Sequence, residues 1–252
     1  MSGHSKWANI KHKKAAKDAK RGKVFTRITK EMTIAAREGG GNIDDNPRLR
    51  LAVQNAKAVN MPNENIKRAI QKGTGEIEGV NYEEIVYEAY GPHGGALILE
   101  TVTDNRNRTL SEVRTTITKL GGNLGEPGSV SWNFSRKGVI TIKTSGKSED
   151  DLLEFVLDAG ADDLEYDADT SRIICSYDTL NLCYKFFESK KFEITESKLE
   201  YLPKAVINIE NINDARKVVR LLDTMEDNDD VQNVFSNYEI DDDIMEQLEK
   251  ES

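Results

Sequence analysis

Ten Lys and Arg residues stand between positions 6 and 30: Lys6, Lys11, Lys13, Lys14, Lys17, Lys20, Arg21, Lys23, Arg27 and Lys30. Asp18 alone opposes them within that span, and Trp7 lies among them. Ammonium and guanidinium groups neutralise phosphates and release their counterions. An indole can stack on a splayed base. The pattern therefore points to polyanion binding. A solvated, solubilising arm is the plainer alternative, and Trp7 could equally pack on a neighbouring helix. Most of these cations are Lys, which meets phosphate as a point charge. Arg forks and Asn or Gln amides dominate base readout, so little sequence specificity is expected.

Two further stretches are candidates for a second contact. "DNRNRT" at 104–109 places Arg106 and Arg108 where a helix begins, and free N–H groups there suit a phosphate. A well-capped helix entry explains the same residues. "GPHGG" at 91–95, with Pro92 and His93, reads as a hairpin turn, or as a small probe able to enter a narrow RNA cavity. His93 reads as an exposed polar residue in either case.

Catalytic readings find little support. The three histidines are His4, His12 and His93, two in the basic arm and one in a turn. No Ser/His/Asp or Cys/His set is suggested. "GGNLGEPGS" lacks the Lys-Ser/Thr ending of a phosphate-binding loop. Asp and Glu are spread along helices and the C-terminal end, the usual solvated distribution, with an acidic cation-binding cleft as the remaining alternative. Cys175 and Cys183 read as buried thiols in a reducing compartment, a disulfide being the minor alternative. The expectation is a non-enzyme with no cofactor, no metal and no small-molecule substrate.

Positive charge is confined to one end of an acidic chain. The 252 residues carry a net charge of −9. Residues 1–75 hold 17 Lys and Arg against 6 Asp and Glu, and the remainder holds 18 against 38. Such asymmetry suggests an anionic partner at the basic end. Mean hydropathy is −0.60. No run approaches the ~20 apolar residues of a membrane span. No apolar segment follows the basic start as in a secretory signal, and no transit peptide is evident. A cytoplasmic protein is expected.

The elements that would position these residues follow from periodicity. Residues 1–14 lack it and read as an extended or disordered arm. From about Ala15 to Glu38, Phe25, Ile28, Met32 and Ala35 form an apolar stripe, with Lys20, Lys23, Arg27, Lys30 and Arg37 opposite. A second helix opens at Asn46-Pro47, and a third follows Pro62 and ends at Gly73. Lys67, Arg68 and Lys72 add positive charge. Beyond Gly79 the period becomes two: "YEEIVYEAYG" and "GALILETVTD" read as strands, then a helix to Leu120 with Thr109 and Glu112 as a capping box. "GSVSWNF" reads as another strand. "GVITIKT" to "FEITESKLEYLP" follows a β-α-β-β-α-β order, the ferredoxin-like split motif. A last helix and the strand "VQNVFSNYEI" need a partner sheet.

The expected fold is α+β. It comprises a basic arm at 1–14 and a three-helix domain at 15–79. One α/β domain is made of 80–130 and 205–240, and a ferredoxin-like domain at 131–204 is inserted in it. A solvated acidic tail occupies 241–252.

"MSGHSKWANIKHKKAAKDAKRGKVFTRITKEM", "NMPNENIKRAI" with "KGTGE", "TDNRNRTLSEVR", "GGNLGEPGSVSW" and "DVQNVFSNYEI" together resemble the YebC family from residue 2 to about 240. The resemblance implies a helical N-terminal domain and two mixed α/β domains, one inserted in the other. Members are catalogued as cytoplasmic, DNA-binding probable transcriptional regulators. A mitochondrial relative is a translational activator, and bacterial members are linked to stalled ribosomes. The chain departs from the family pattern at two turn positions, His93 and Pro127.

Three functions follow as expectations. In one, the basic end holds DNA and the protein regulates transcription. In another, favoured on physical grounds, it holds ribosomal RNA and assists elongation on the ribosome. In the third it is a protein–protein adaptor. The acidic remainder would be held off the polyanion by repulsion. A monomer is expected.

Overall fold

A computed structural model describes residues 19–250. The residues at 1–18, including Lys6, Trp7, Lys11, Lys13, Lys14 and Lys17, lie outside the described residues, as does the arm expected at 1–14.

Three helices come first: α1 (Ala19–Gly39), α2 (Pro47–Ala58) and α3 (Asn63–Thr74). Asn46 caps α2 by accepting from the Leu49 amide, with Pro47 at the first helical position. Met32, Ala35, Leu49, Ala52, Val53, Ala56, Ile66 and Ala69 form their shared core. Gly73 does not end α3; Gly75 does, with a positive φ of 78°. Gly73 instead lets α3 approach α1, since a Cβ there would lie 2.3 Å from the Thr33 carbonyl oxygen.

β1 (Glu83–Tyr90) and β2 (Ala96–Thr103) form an antiparallel hairpin, followed by α4 (Arg106–Lys119) and the short β3 (Asn123–Leu124). β4 (Phe134–Lys143), α5 (Glu149–Asp158), β5 (Asp163–Glu165), β6 (Thr170–Ser176), α6 (Leu180–Ser189) and β7 (Ile194–Pro203) then form a unit with sheet order β5-β6-β4-β7. That order is the ferredoxin-like one. Ile140, Ile142, Ile173 and Cys175 of its sheet pack under Leu152, Val156, Cys183 and Phe187 of its helices.

The chain then returns to the first sheet. β8 (Ile207–Ile209) precedes α7 (Ile212–Glu226), and β9 (Val231–Ser236) pairs with β2 to complete the order β3-β1-β2-β9. β10 (Tyr238–Ile240) runs parallel to β8. The mixed α+β class and the antiparallel sheets are as the sequence predicts. No described helix is long and apolar enough to cross a membrane.

Four local expectations are corrected. Thr109 is not the cap of α4: Asn105 is, accepting from the Arg108 amide, while Thr109 is fully buried inside the helix. Ser131–Asn133 is a 3-10 turn rather than strand. "VQNVFSNYEI" is two strands in two sheets, divided at Asn237. Residues 241–250 are not a solvated tail. Asp242–Lys250 forms a helix, α8, whose Met245 is buried in the same core as α7, with Ile244 and Leu248 against it.

Candidate nucleic-acid interface

The first helix carries the residues on which a cationic face depends. Lys20 and Arg21 occupy its first turn. The next cations do not face solvent together. Lys23 Nζ donates to the Asp227 carbonyl at 2.8 Å and lies 3.3 Å from its carboxylate. The Arg27 guanidinium donates to the Glu226 carbonyl. Lys30 is buried at 6% exposure, and its ammonium donates to the Val102 and Asp229 carbonyls and to Asp230 Oδ1 at 3.0, 2.8 and 3.0 Å. The expected phosphate role of Lys30 is corrected: a buried ammonium with three internal acceptors has no donor left for a ligand. Arg27 extends the same seam, and Lys23, still exposed, pairs with Asp227 at its outer end.

Asp230 is the centre of that seam. Its carboxylate also accepts from Thr109 Oγ1 at 2.7 Å, Arg108 at 2.9 Å and Thr103 Oγ1 at 3.2 Å. Burial alone would raise its pKa, but the hydrogen bonds from Thr109, Arg108 and Lys30 outweigh that and hold it at about 2. "DNRNRT" therefore has a structural role: Asn105 caps α4, Thr109 reaches Asp230, and Arg108 binds Asp104 and Asp230. Arg108, expected as a free anion contact, is engaged by these two carboxylates. Arg106 remains exposed at the start of α4.

The turn at 91–95 is packed rather than protruding. Pro92 is buried and its carbonyl accepts from the Tyr238 hydroxyl. A Cβ at Gly95 would lie 2.0 Å from the Tyr238 ring, so this position requires glycine. His93 adopts a φ of 59° and sits 3.3 Å from Asp214 on α7. Pro92 as a probe is corrected by its burial, while His93 is exposed.

A second charge cluster ties the helices to the first sheet. Arg48 of α2 reaches Glu31 at 2.8 Å and Glu38 at 2.7 Å on α1, and it also binds Glu84 of β1. Across the first sheet, Glu88 gathers "GEPGSVSW". Its carboxylate accepts from the amides of Gly128 and Val130 at 2.7 Å and Ser131 at 2.9 Å. Burial opposes its ionised form, but these amides prevail and lower its pKa. Nothing in the sequence assigned Glu88 this part.

Exposed cations remain on the second and third helices. Lys57 of α2 and Lys67, Arg68 and Lys72 of α3 are exposed. Arg68 has a distant partner, Glu64 at 3.9 Å on the same helix. Lys57, Lys67 and Lys72 have no ion pair among the described residues.

Comparison with known proteins places this arrangement. Residues 5–76 match the model of the TACO1/YebC protein N-terminal domain, and residues 82–238 match that of the TACO1/YebC second and third domain. The chain belongs to the TACO1/YebC family. A relative from Syntrophobacter fumaroxidans is 50% identical over 98% of this chain and 100% of its own length. One from Chloroherpeton thalassium is 53% identical over 98% and 99%. Both are named probable transcriptional regulatory protein. The crystal structure of the conserved hypothetical protein Aq1575 from Aquifex aeolicus superposes with a TM-score of 0.84 at 43% identity, covering 89% of this chain and 93% of that one. The family fits the two α/β units joined at 131–134 and 203–207.

Proposed function

We propose that this TACO1/YebC protein is a non-enzymatic regulator of gene expression that holds nucleic acid by its phosphate backbone, through the basic amino-terminal unit. The observation that carries the reading is the charge partition. Residues 1–75 carry nearly half of the chain's Lys and Arg but only 6 of its 44 Asp and Glu. Lys57, Lys67, Arg68 and Lys72 stay exposed after Arg27 and Lys30 have been used internally and Lys23 has been paired with Asp227. Lys6, Lys11, Lys13, Lys14 and Lys17 are assigned to the same role as phosphate ligands, with Trp7 as a stacking residue. The acidic α/β units then orient the molecule by repulsion.

The names of the relatives favour DNA and transcription. A surface rich in Lys and poor in Arg forks favours a structured polyanion read by shape, of which ribosomal RNA is the abundant example. Crosslinking in growing cells, followed by sequencing of bound RNA and bound DNA, separates the two. Promoter peaks that survive RNase support the DNA reading. Ribosomal RNA enrichment without promoter peaks supports the RNA reading. Enrichment of neither contradicts nucleic-acid binding altogether.

A further inference from the structure

Trp132 has the highest exposure of any large apolar side chain among the described residues, 70%. It lies on the 3-10 turn Ser131–Asn133, where the chain passes from the first sheet into the ferredoxin-like unit. The position is held firmly. The indole Nε1 donates to the Ser129 carbonyl at 3.0 Å, and the Trp132 carbonyl accepts from Lys204 Nζ at 2.9 Å. The returning connection is fastened to the same turn. The Lys204 amide donates to the Asn133 carbonyl at 2.7 Å, and the Asn133 side chain exchanges bonds of 2.9 and 3.0 Å with Ala205. Both covalent links between the two α/β units therefore support one exposed indole.

The surroundings indicate what would bind there. The indole's only donor is already used, so it offers solvent its π face rather than a hydrogen bond. Lys204 is exposed and its bonded partner is a neutral carbonyl, which leaves its charge uncompensated. Arg136, four residues along, is also exposed, and its guanidinium stands 5.2 Å from the Tyr177 ring centre and 5.8 Å from that of Tyr201. Tyr177 is itself half exposed. Four residues span at most about 14 Å, within reach of a short oligonucleotide. An aromatic platform flanked by cations is the arrangement that holds single strands. Trp, Tyr and Arg also populate protein-docking hot spots, so a protein partner is the competing outcome of the test.

We propose that Trp132, Lys204 and Arg136 form a second contact, specific to single-stranded nucleic acid. One unpaired base stacks on the Trp132 indole, and neighbouring phosphates meet Lys204 and Arg136. The site uses none of the residues of the helical unit, so it extends the proposed function without depending on the same cations.

Fluorescence of the full chain carrying Trp7→Phe tests this, because Trp132 is then the sole indole. Titration with a ten-residue oligouridylate is expected to quench it to saturation, and a perfectly paired duplex to quench it far less. Trp132→Ala, measured with end-labelled oligouridylate, is expected to weaken binding by about 5- to 150-fold, and Trp132→Phe by less. Lys204→Glu and Arg136→Glu are each expected to weaken it and to flatten its salt dependence. Quenching should persist when Lys67→Glu, Arg68→Glu and Lys72→Glu are introduced, which separates this site from the amino-terminal one. An indole that acrylamide quenches but oligouridylate does not would overturn the proposal and leave the surface to a protein partner. Equal affinity for Trp132→Ala and the unaltered residue, or equal quenching by duplex, would also overturn it.

Discussion

At the residue scale, Asp230 decides how the helical unit meets the body. A carboxylate held at about 2, against an ordinary 3.8, favours the folded state wherever it is ionised. Its contribution is fully present above about pH 4 and is lost as pH falls through 2, amounting to about 2 kcal/mol. Urea unfolding at pH 7, 4 and 2 should show this loss, and Asp230→Asn should lack the part that Asp230 supplies. At pH 7 the same substitution strands the buried Lys30 ammonium and should cost about 3 kcal/mol. Lys30 also shows where the sequence was misleading. Its type and neighbours matched a phosphate ligand. The hint to the contrary was Ile34, wholly buried and in line with Lys23, Arg27 and Lys30 at spacings of four, three and four. An apolar residue on the charged side meant that this side, too, was covered. Which segment covered it, 226–230, lies some 200 residues away and has no local signature.

At the element scale, periodicity identified most helices and strands, because each buries one face against one layer. The β-α-β-β-α-β order of the ferredoxin-like unit was legible in the sequence, and a capping box formed by Ser148 and Asp151 opens its first helix. Loss of the Ser148 cap in Ser148→Ala should lower stability by about 1 kcal/mol, read from the urea midpoint. Elements whose form depends on distant partners were less legible. Ser131–Asn133 looks extended by composition but turns because Glu88 collects the preceding amides. The 242–250 helix looks like a solvated tail because acids outnumber its apolar residues. Yet Ile244, Met245 and Leu248 fall on one face and complete the α7 core. Met245→Ala should therefore cost about 2–3 kcal/mol in urea unfolding, where a solvated tail would register almost nothing.

At the scale of the whole molecule, charge is divided between a basic amino-terminal unit and an acidic remainder, and the divide is only partly spent on internal contacts. Charge partition was fully legible in the sequence. The distinction between internal and outward cations was not, because composition counts charges without their partners. Salt dependence makes that distinction directly, since each phosphate neutralised contributes roughly −0.9 to the slope of log affinity against log salt on duplex DNA. The decisive measurement compares the unaltered chain with one bearing Lys11→Glu, Lys13→Glu, Lys67→Glu, Arg68→Glu and Lys72→Glu, on duplex DNA and on structured RNA, from low to physiological salt. The account predicts weaker binding and a slope flatter by about 2–4 on DNA, with thermal stability unchanged. An altered chain with the same affinity and slope would contradict it.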